Sequence, residues 1–128
     1  MTQIETNYGE KVAVSSLKAG HIENIISKAS MCKHIKAIIL FGSSLESRCT
    51  EKSDIDFAVV SDKTVTALSK DKSFVNFMNA LYDYDDSQEY DRLYFKSFNE
   101  IEGKVGEVTI CHEIVTKGKT IYRRDSVG

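Results

Sequence analysis

The stretch "IILFGSSLESRCTEKSDIDFAVV", residues 38–60, constrains this chain's fold more than any other. A β-branched apolar run from Ile35 to Phe41 stops at Gly42-Ser43, and a polar loop follows. A second apolar run then opens on Asp54-Ile55-Asp56 and continues through Phe57, Val59 and Val60 to Ser61-Asp62. Short β-branched runs bounded by Gly, Ser and Asp read as buried strands. Asp is depleted in strands, so folding alone gives no reason to start one with Asp-x-Asp. Strand side chains alternate between faces, which puts Asp54 and Asp56 on one side with Ile55 facing the opposite layer. Two carboxylates sharing a face repel each other unless a cation sits between them.

The rest of the chain supplies partners for these two strands. Leu17, Ile22, Ile25, Ile26 and Ala29 recur at helical spacing and predict a helix over 16–30. Phe74, Val75, Phe77, Met78, Leu81 and Tyr82 predict another over roughly 64–83. "DYDDSQEYD" reads as an acidic turn, and "DRLYF", Asp91 to Phe95, as a third strand. Val105, Val108, Cys111, Ile114 and Val115 predict a closing helix, with Gly118 as its C′ residue and Lys117 in its last turn. Residues 1–15 show little periodicity beyond Val12-Ala13-Val14 and read as an arm or a short strand. The expected domain therefore spans 16–128. Its expected class is α/β (α+β), a small mixed sheet flanked by helices.

The loop and the acids suggest phosphate chemistry. Mg²⁺ takes hard oxygen ligands and usually shares its shell with substrate phosphates, so Asp54 and Asp56 are candidate metal ligands. Two such ions about 4 Å apart can activate an attacking hydroxyl and stabilise the leaving oxygen of an in-line displacement at phosphorus. Glycine at 42 lets backbone approach a bulky anion. Ser43 and the N–H groups after it can donate to phosphate oxygens, the more so if 43–48 begins a helix. Ser44 continues that turn and is a further candidate for binding the phosphates.

Composition removes other readings. Lys+Arg number 17 against Asp+Glu 19, a net charge of −2, which argues against a general nucleic-acid binder. Lys117, Lys119, Arg123 and Arg124 make one local basic patch near the end of the sequence. Cys32, Cys49 and Cys111 are odd in number and widely spaced, as expected of reduced thiols in a cytoplasmic protein. The pairs Cys32/His34 and Cys111/His112 lack the spacing of a zinc site. The first residues lack the apolar core of a signal peptide. The longest apolar run, Ala37 to Phe41, is far short of the roughly 20 residues that span a membrane. A soluble intracellular protein is expected.

Gly42-Ser43, ten further residues and then Asp54-Ile55-Asp56 resembles the signature of the DNA polymerase beta-like nucleotidyltransferase superfamily. In size the chain is similar to the minimal nucleotidyltransferase branch, and the likeness runs from about Ile22 to Tyr122. The segment "HEIVTKGKTIYRR" resembles the branch's closing helix and G-x-x-x-Y tail. The resemblance implies that Gly42-Ser43 holds a nucleoside triphosphate and that Asp54 and Asp56 bind two Mg²⁺ ions. It also implies a third carboxylate on a later strand, which falls by position on Asp91 rather than on its neighbours Asp83, Asp85, Asp86 or Glu89. The implied reaction transfers a nucleoside monophosphate, AMP from ATP, with release of pyrophosphate. The implied acceptor is a partner protein, a HEPN-type toxin ribonuclease for which this chain is the antitoxin. The branch's loop usually reads x-A-R-G after Gly-Ser. Here Glu46 and Ser47 take those places, and Arg48, the candidate substitute, comes two residues late. A binding module that neutralises its partner by contact is the alternative reading.

Overall fold

The computed structural model describes residues 1–124. The two apolar runs form β3 (Ile35–Phe41) and β4 (Ile55–Ser61), paired antiparallel with Phe41 opposite Asp56 and Ile38 opposite Val59. Both strands are buried almost throughout, which explains why their sequences are continuously apolar rather than alternating. On the far side of β4 lies β5 (Tyr90–Phe95), parallel to it, and on the far side of β3 lies β6 (Lys119–Arg123), antiparallel. The central sheet thus runs β5-β4-β3-β6.

A parallel neighbour needs a crossover. The chain supplies it between β4 and β5 as two helices, α2 (Val65–Lys70) and α3 (Lys72–Tyr84), where sequence periodicity predicts one. The break is at Asp71, whose backbone is extended (φ −72°, ψ 124°). Its carboxylate accepts from the N–H groups of Ser73 and Phe74. That is an N-cap, and it starts a new helix in the middle of a continuous apolar stripe. The helix α1 (Ala19–Ala29) lies beside α3 on the same face. Ile22 and Ile25 of α1 and Phe74, Phe77 and Leu81 of α3 form one core with Ile38, Leu40, Phe57 and Val59 of the sheet.

The opposite face carries a smaller core. α4 (Phe98–Gly103) and α5 (Thr109–Lys117) set Ile101, Cys111 and Ile114 against Ala37, Ile39, Phe41, Ala58, Val60 and Phe95. The sequence predicts a single closing helix here. α4 is an addition, capped by the Ser97 hydroxyl that accepts from the Glu100 N–H. Gly118 is extended (φ −65°, ψ 154°), not left-handed. Its need for glycine is a close approach, because a Cβ there would lie 2.4 Å from the Ile114 carbonyl oxygen. The tail after it is the strand β6.

Residues 1–15 form a hairpin, β1 (Thr2–Glu5) and β2 (Lys11–Val14), that buries Ile4, Val12 and Val14 in the larger core. Its turn is tied to β6. Asn7 and Arg123 exchange two hydrogen bonds (2.6 and 2.8 Å), and the Tyr8 hydroxyl donates to the Thr120 carbonyl at 2.7 Å. At its other end the Ser15 N–H donates to the Ser44 carbonyl at 2.7 Å, fixing the turn that follows β3. No helix among the described residues is long and apolar enough to cross a membrane.

Candidate active site

β3 ends in a single 3₁₀ turn, Gly42–Leu45, rather than the longer helix the loop allows. Gly42 has φ +79°, a conformation that side chains rarely adopt, and a Cβ on it would stand 2.2 Å from Asp56 Oδ2. The Gly-Ser turn and the second Asp of Asp-x-Asp are therefore in direct contact, because Phe41 and Asp56 are register partners across β3 and β4. The parallel pairing of β4 with β5 places Asp56 directly opposite Asp91. Alternation turns both toward the α4/α5 face, since Ala58 and Val60, then Phe95, follow on that side. Asp54 lies just before β4, exposed, and its charge bears on Asp56.

The electrostatics follow from this crowding. The Asp56 carboxyl is pushed up to about 6, first by burial and then by the facing Asp91 carboxyl, with Asp54 and Glu113 adding repulsion. Glu113, on α5 next to the buried Ile114, is an acid that no sequence pattern singles out. Only the docking of α5 on this face brings it near. Strand register sets Asp56 and Asp91 as a facing pair, with Asp54 just before β4. Among the described residues no three acidic, histidine or cysteine side chains are gathered tightly enough to make a metal site outright.

Two clefts flank the acids. One, of about 950 Å³, is lined by Gly42, Glu46, Glu113, Lys117 and Lys119, with the hairpin on its far wall. The other, of about 620 Å³, is lined by Asp54, Lys18, His21, Asp85 and Gln88. Asp56 lines neither cleft, but it touches Gly42 of the first and feels the charge of Asp54 in the second.

The family model "Polymerase beta, Nucleotidyltransferase" matches residues 23–127. The chain belongs to this family. No curated protein sequence matches it. Among solved structures, a mutant of the toxin–antitoxin pair MntA–HpeT is similar at 20% identity and a TM-score of 0.53, over 83% of this chain and 76% of that one. A rebuilt structure of a tri-AMPylated Shewanella oneidensis HEPN toxin in complex with MNT antitoxin matches at 22% identity and a TM-score of 0.48, over 84% and 73%.

The loop after Gly42-Ser43 carries an ion pair of its own. Glu46 is bonded to Arg48, and that guanidinium, with Lys117 nearby, holds the Glu46 carboxyl below its ordinary range. The ion pair offsets the acid's charge beside the Gly42 turn. Ser43 is half-buried at the turn, whereas Ser44 is fully buried and its hydroxyl has no partner. Of the two hydroxyls, only that of Ser43 is open to solvent. Cys32, Cys49 and Cys111 are all buried and unpaired. As for a metal, hard carboxylate oxygens on neighbouring strands, one with a raised affinity for protons, are the donor set a divalent cation takes. Asp56, Asp91 and Asp54 are the residues that fit it.

Proposed function

We propose that this chain transfers AMP from ATP to a hydroxyl group on a partner protein, a HEPN-type toxin that it neutralises as an antitoxin. The observation that carries the reading is the contact between the Gly42 turn and Asp56, with Asp91 facing it from the adjacent strand. Family membership supplies the reaction class, and the fold shared with a chain of the MntA–HpeT pair supports the setting.

In this reading the backbone N–H groups after Gly42 and the Ser43 hydroxyl donate to the triphosphate, and Arg48 leaves Glu46 to add its charge there. Asp54, Asp56 and Asp91 would hold two Mg²⁺ ions, which when bound lower the pKa of the attacking hydroxyl and offset charge on the leaving oxygen. The acceptor oxygen bonds to the α-phosphorus as the bond to the bridging oxygen breaks, so that pyrophosphate departs and the acceptor carries AMP.

The test is incubation with Mg²⁺ and α-labelled ATP, with and without the candidate toxin. Label is expected on the toxin, with pyrophosphate released. Asp54→Ala should cut the rate about a thousandfold or more, since the lost charge stabilisation is worth several kcal/mol. A second reading rests on the Glu46–Arg48 pair, which ties up the arginine that would reach the triphosphate. In that reading the chain neutralises its partner by contact alone. Neutralisation that persists undiminished in Asp54→Ala, with no label transferred, would decide for it.

A further inference from the structure

The second cleft has at its base a charged residue that stability alone does not explain. Lys18 is 1% exposed, yet its ammonium is held by two neutral acceptors, the Glu51 carbonyl at 2.9 Å and the Gln88 Oε1 at 2.6 Å. Burying an ammonium without a counter-charge costs several kcal/mol, and an apolar residue of similar length would avoid that cost. Gln88, also buried, donates its amide to the Ser53 carbonyl at 3.1 Å and to the Glu89 carbonyl at 2.8 Å. The Glu89 carbonyl in turn accepts from the Ile55 N–H at 3.0 Å. Every backbone group in this relay lies within three residues of Asp54 or Asp91: Glu51 and Ser53 precede Asp54, Ile55 follows it, and Glu89 precedes Asp91.

We propose that Lys18 and Gln88 are positioning residues that lock the loop carrying Asp54 onto the start of the strand carrying Asp91, and so set the affinity of the acids for divalent cations. The geometry gives the reason. Asp56 and Asp91 are fixed by strand pairing, but Asp54 stands outside the sheet on an exposed loop. Its distance from the pair is therefore set by whatever holds residues 51–53. Two side chains from α1's leading edge and from the turn before β5 do that, both themselves buried and bonded to backbone carbonyls at 2.8 to 3.1 Å. The inference rests on the reading of the three acids as metal ligands, and it assigns the second cleft's polar floor a role in that site.

The experiment measures Mn²⁺ binding to the whole chain by the disappearance of the free-ion spin-resonance signal, alongside thermal unfolding. Lys18→Met with Gln88→Met removes both partners together, which spares the fold the cost of leaving one of them buried and unsatisfied. Gln88→Met alone keeps the Lys18 bond to Glu51 but cuts the Lys18–Gln88 bond together with the ties to Ser53 and Glu89. Both variants are expected to unfold cooperatively and to bind Mn²⁺ about 10- to 100-fold more weakly, the range seen when outer supports of metal ligands are removed. Combining either with Asp54→Asn should add little to the loss from Asp54→Asn alone, because both act through one carboxylate. Unchanged Mn²⁺ affinity in both folded variants, with Asp54→Asn weakened, would overturn the positioning role and leave the metal reading intact. An unaltered chain that binds no Mn²⁺ at millimolar concentration, or an Asp54→Asn that binds as well as the parent, would overturn the metal reading and this proposal with it.

Discussion

The two faces of the central sheet are built from the same strands, β3 and β4, yet they are used differently. On the α1/α3 face, long apolar side chains from two amphipathic helices and the hairpin fill the space, and Phe57, Phe77, Ile22 and Leu81 are fully buried. On the α4/α5 face the helices are short, two of the sheet residues are alanines, Ala37 and Ala58, and Phe98, Val108 and Val115 stay exposed. The acids Asp56 and Asp91 emerge on this second face, at its edge, with Glu113 nearby. Carboxylates that repel one another cost stability, and the larger core opposite can carry that cost. The division teaches that the larger core lies on one side of β4 and the proposed chemistry on the other, a single residue apart along the strand.

The largest effect that sharpens this comparison is Phe77→Ala. The side chain is fully buried in the larger core and far along the chain from the acids. Its loss should cost about 3–5 kcal/mol in urea unfolding, while nucleotide transfer by the fraction still folded stays near the parent rate. A loss of rate per folded molecule would mean that the faces are coupled, and the division would fail.

Gly42→Ala probes the boundary between the faces. It places a Cβ 2.2 Å from Asp56 Oδ2 at a backbone φ of +79°, so either the turn or the carboxylate must move. Strain of this kind costs about 1–3 kcal/mol, less than Phe77→Ala. Transfer should nevertheless fall more steeply than stability, because the displaced atom belongs to the site. A variant that loses stability and keeps its rate would show that the contact is only structural.

These contrasts explain what was legible in the sequence. The strands β3 and β4 could be read because each is a short apolar run bounded by Gly, Ser or Asp, and the helix α1 because its apolar residues keep one clear period. Family resemblance singled out Asp91 among five nearby acids, but what sets it opposite Asp56 is the parallel register with β4, which no local pattern encodes. Residues 1–15 looked quiet because the hairpin's buried residues, Ile4, Val12 and Val14, are few and split between two four-residue strands. The break at Asp71 was hidden because apolar spacing runs on through it, and one carboxylate cap outweighs the pattern. β6 was hidden because five residues after a helix carry only Ile121 and Tyr122 as fully buried positions. Lys18, Gln88 and Glu113 were invisible for a shared reason. Their surroundings are made by segments distant in the chain, and a lone Lys, Gln or Glu has no period to betray it.

The smallest effect is a pH dependence of opposite sign on the two sides of the molecule. Asp85, beyond the end of α3, is held at about 2 by hydrogen bonds from His21 and Ser87, so its contribution is present above the unfolded value near 3.8 and is lost as pH falls through about 2. Asp56 behaves the other way. Its carboxyl is pushed up to about 6, so the folded protein holds that proton more tightly than the unfolded chain does. The protonated form therefore contributes stability below about pH 4, and that contribution disappears as pH rises through about 6. Because the group is half-exposed and screened by water, the contribution is about 1 kcal/mol, or a few degrees in melting temperature. The raw pH profile mixes both signs, so the informative quantity is the difference between the parent and Asp56→Asn. That variant should melt at about the parent's temperature at pH 4 and a few degrees above it at pH 7.5. Added Mg²⁺ should raise the parent's melting temperature at pH 7.5, more weakly at pH 5, and leave the variant nearly unchanged. Parallel profiles for parent and variant would mean that Asp56 is not crowded by Asp91, Asp54 and Glu113, and the chemical face would then hold no more tension than the packed one.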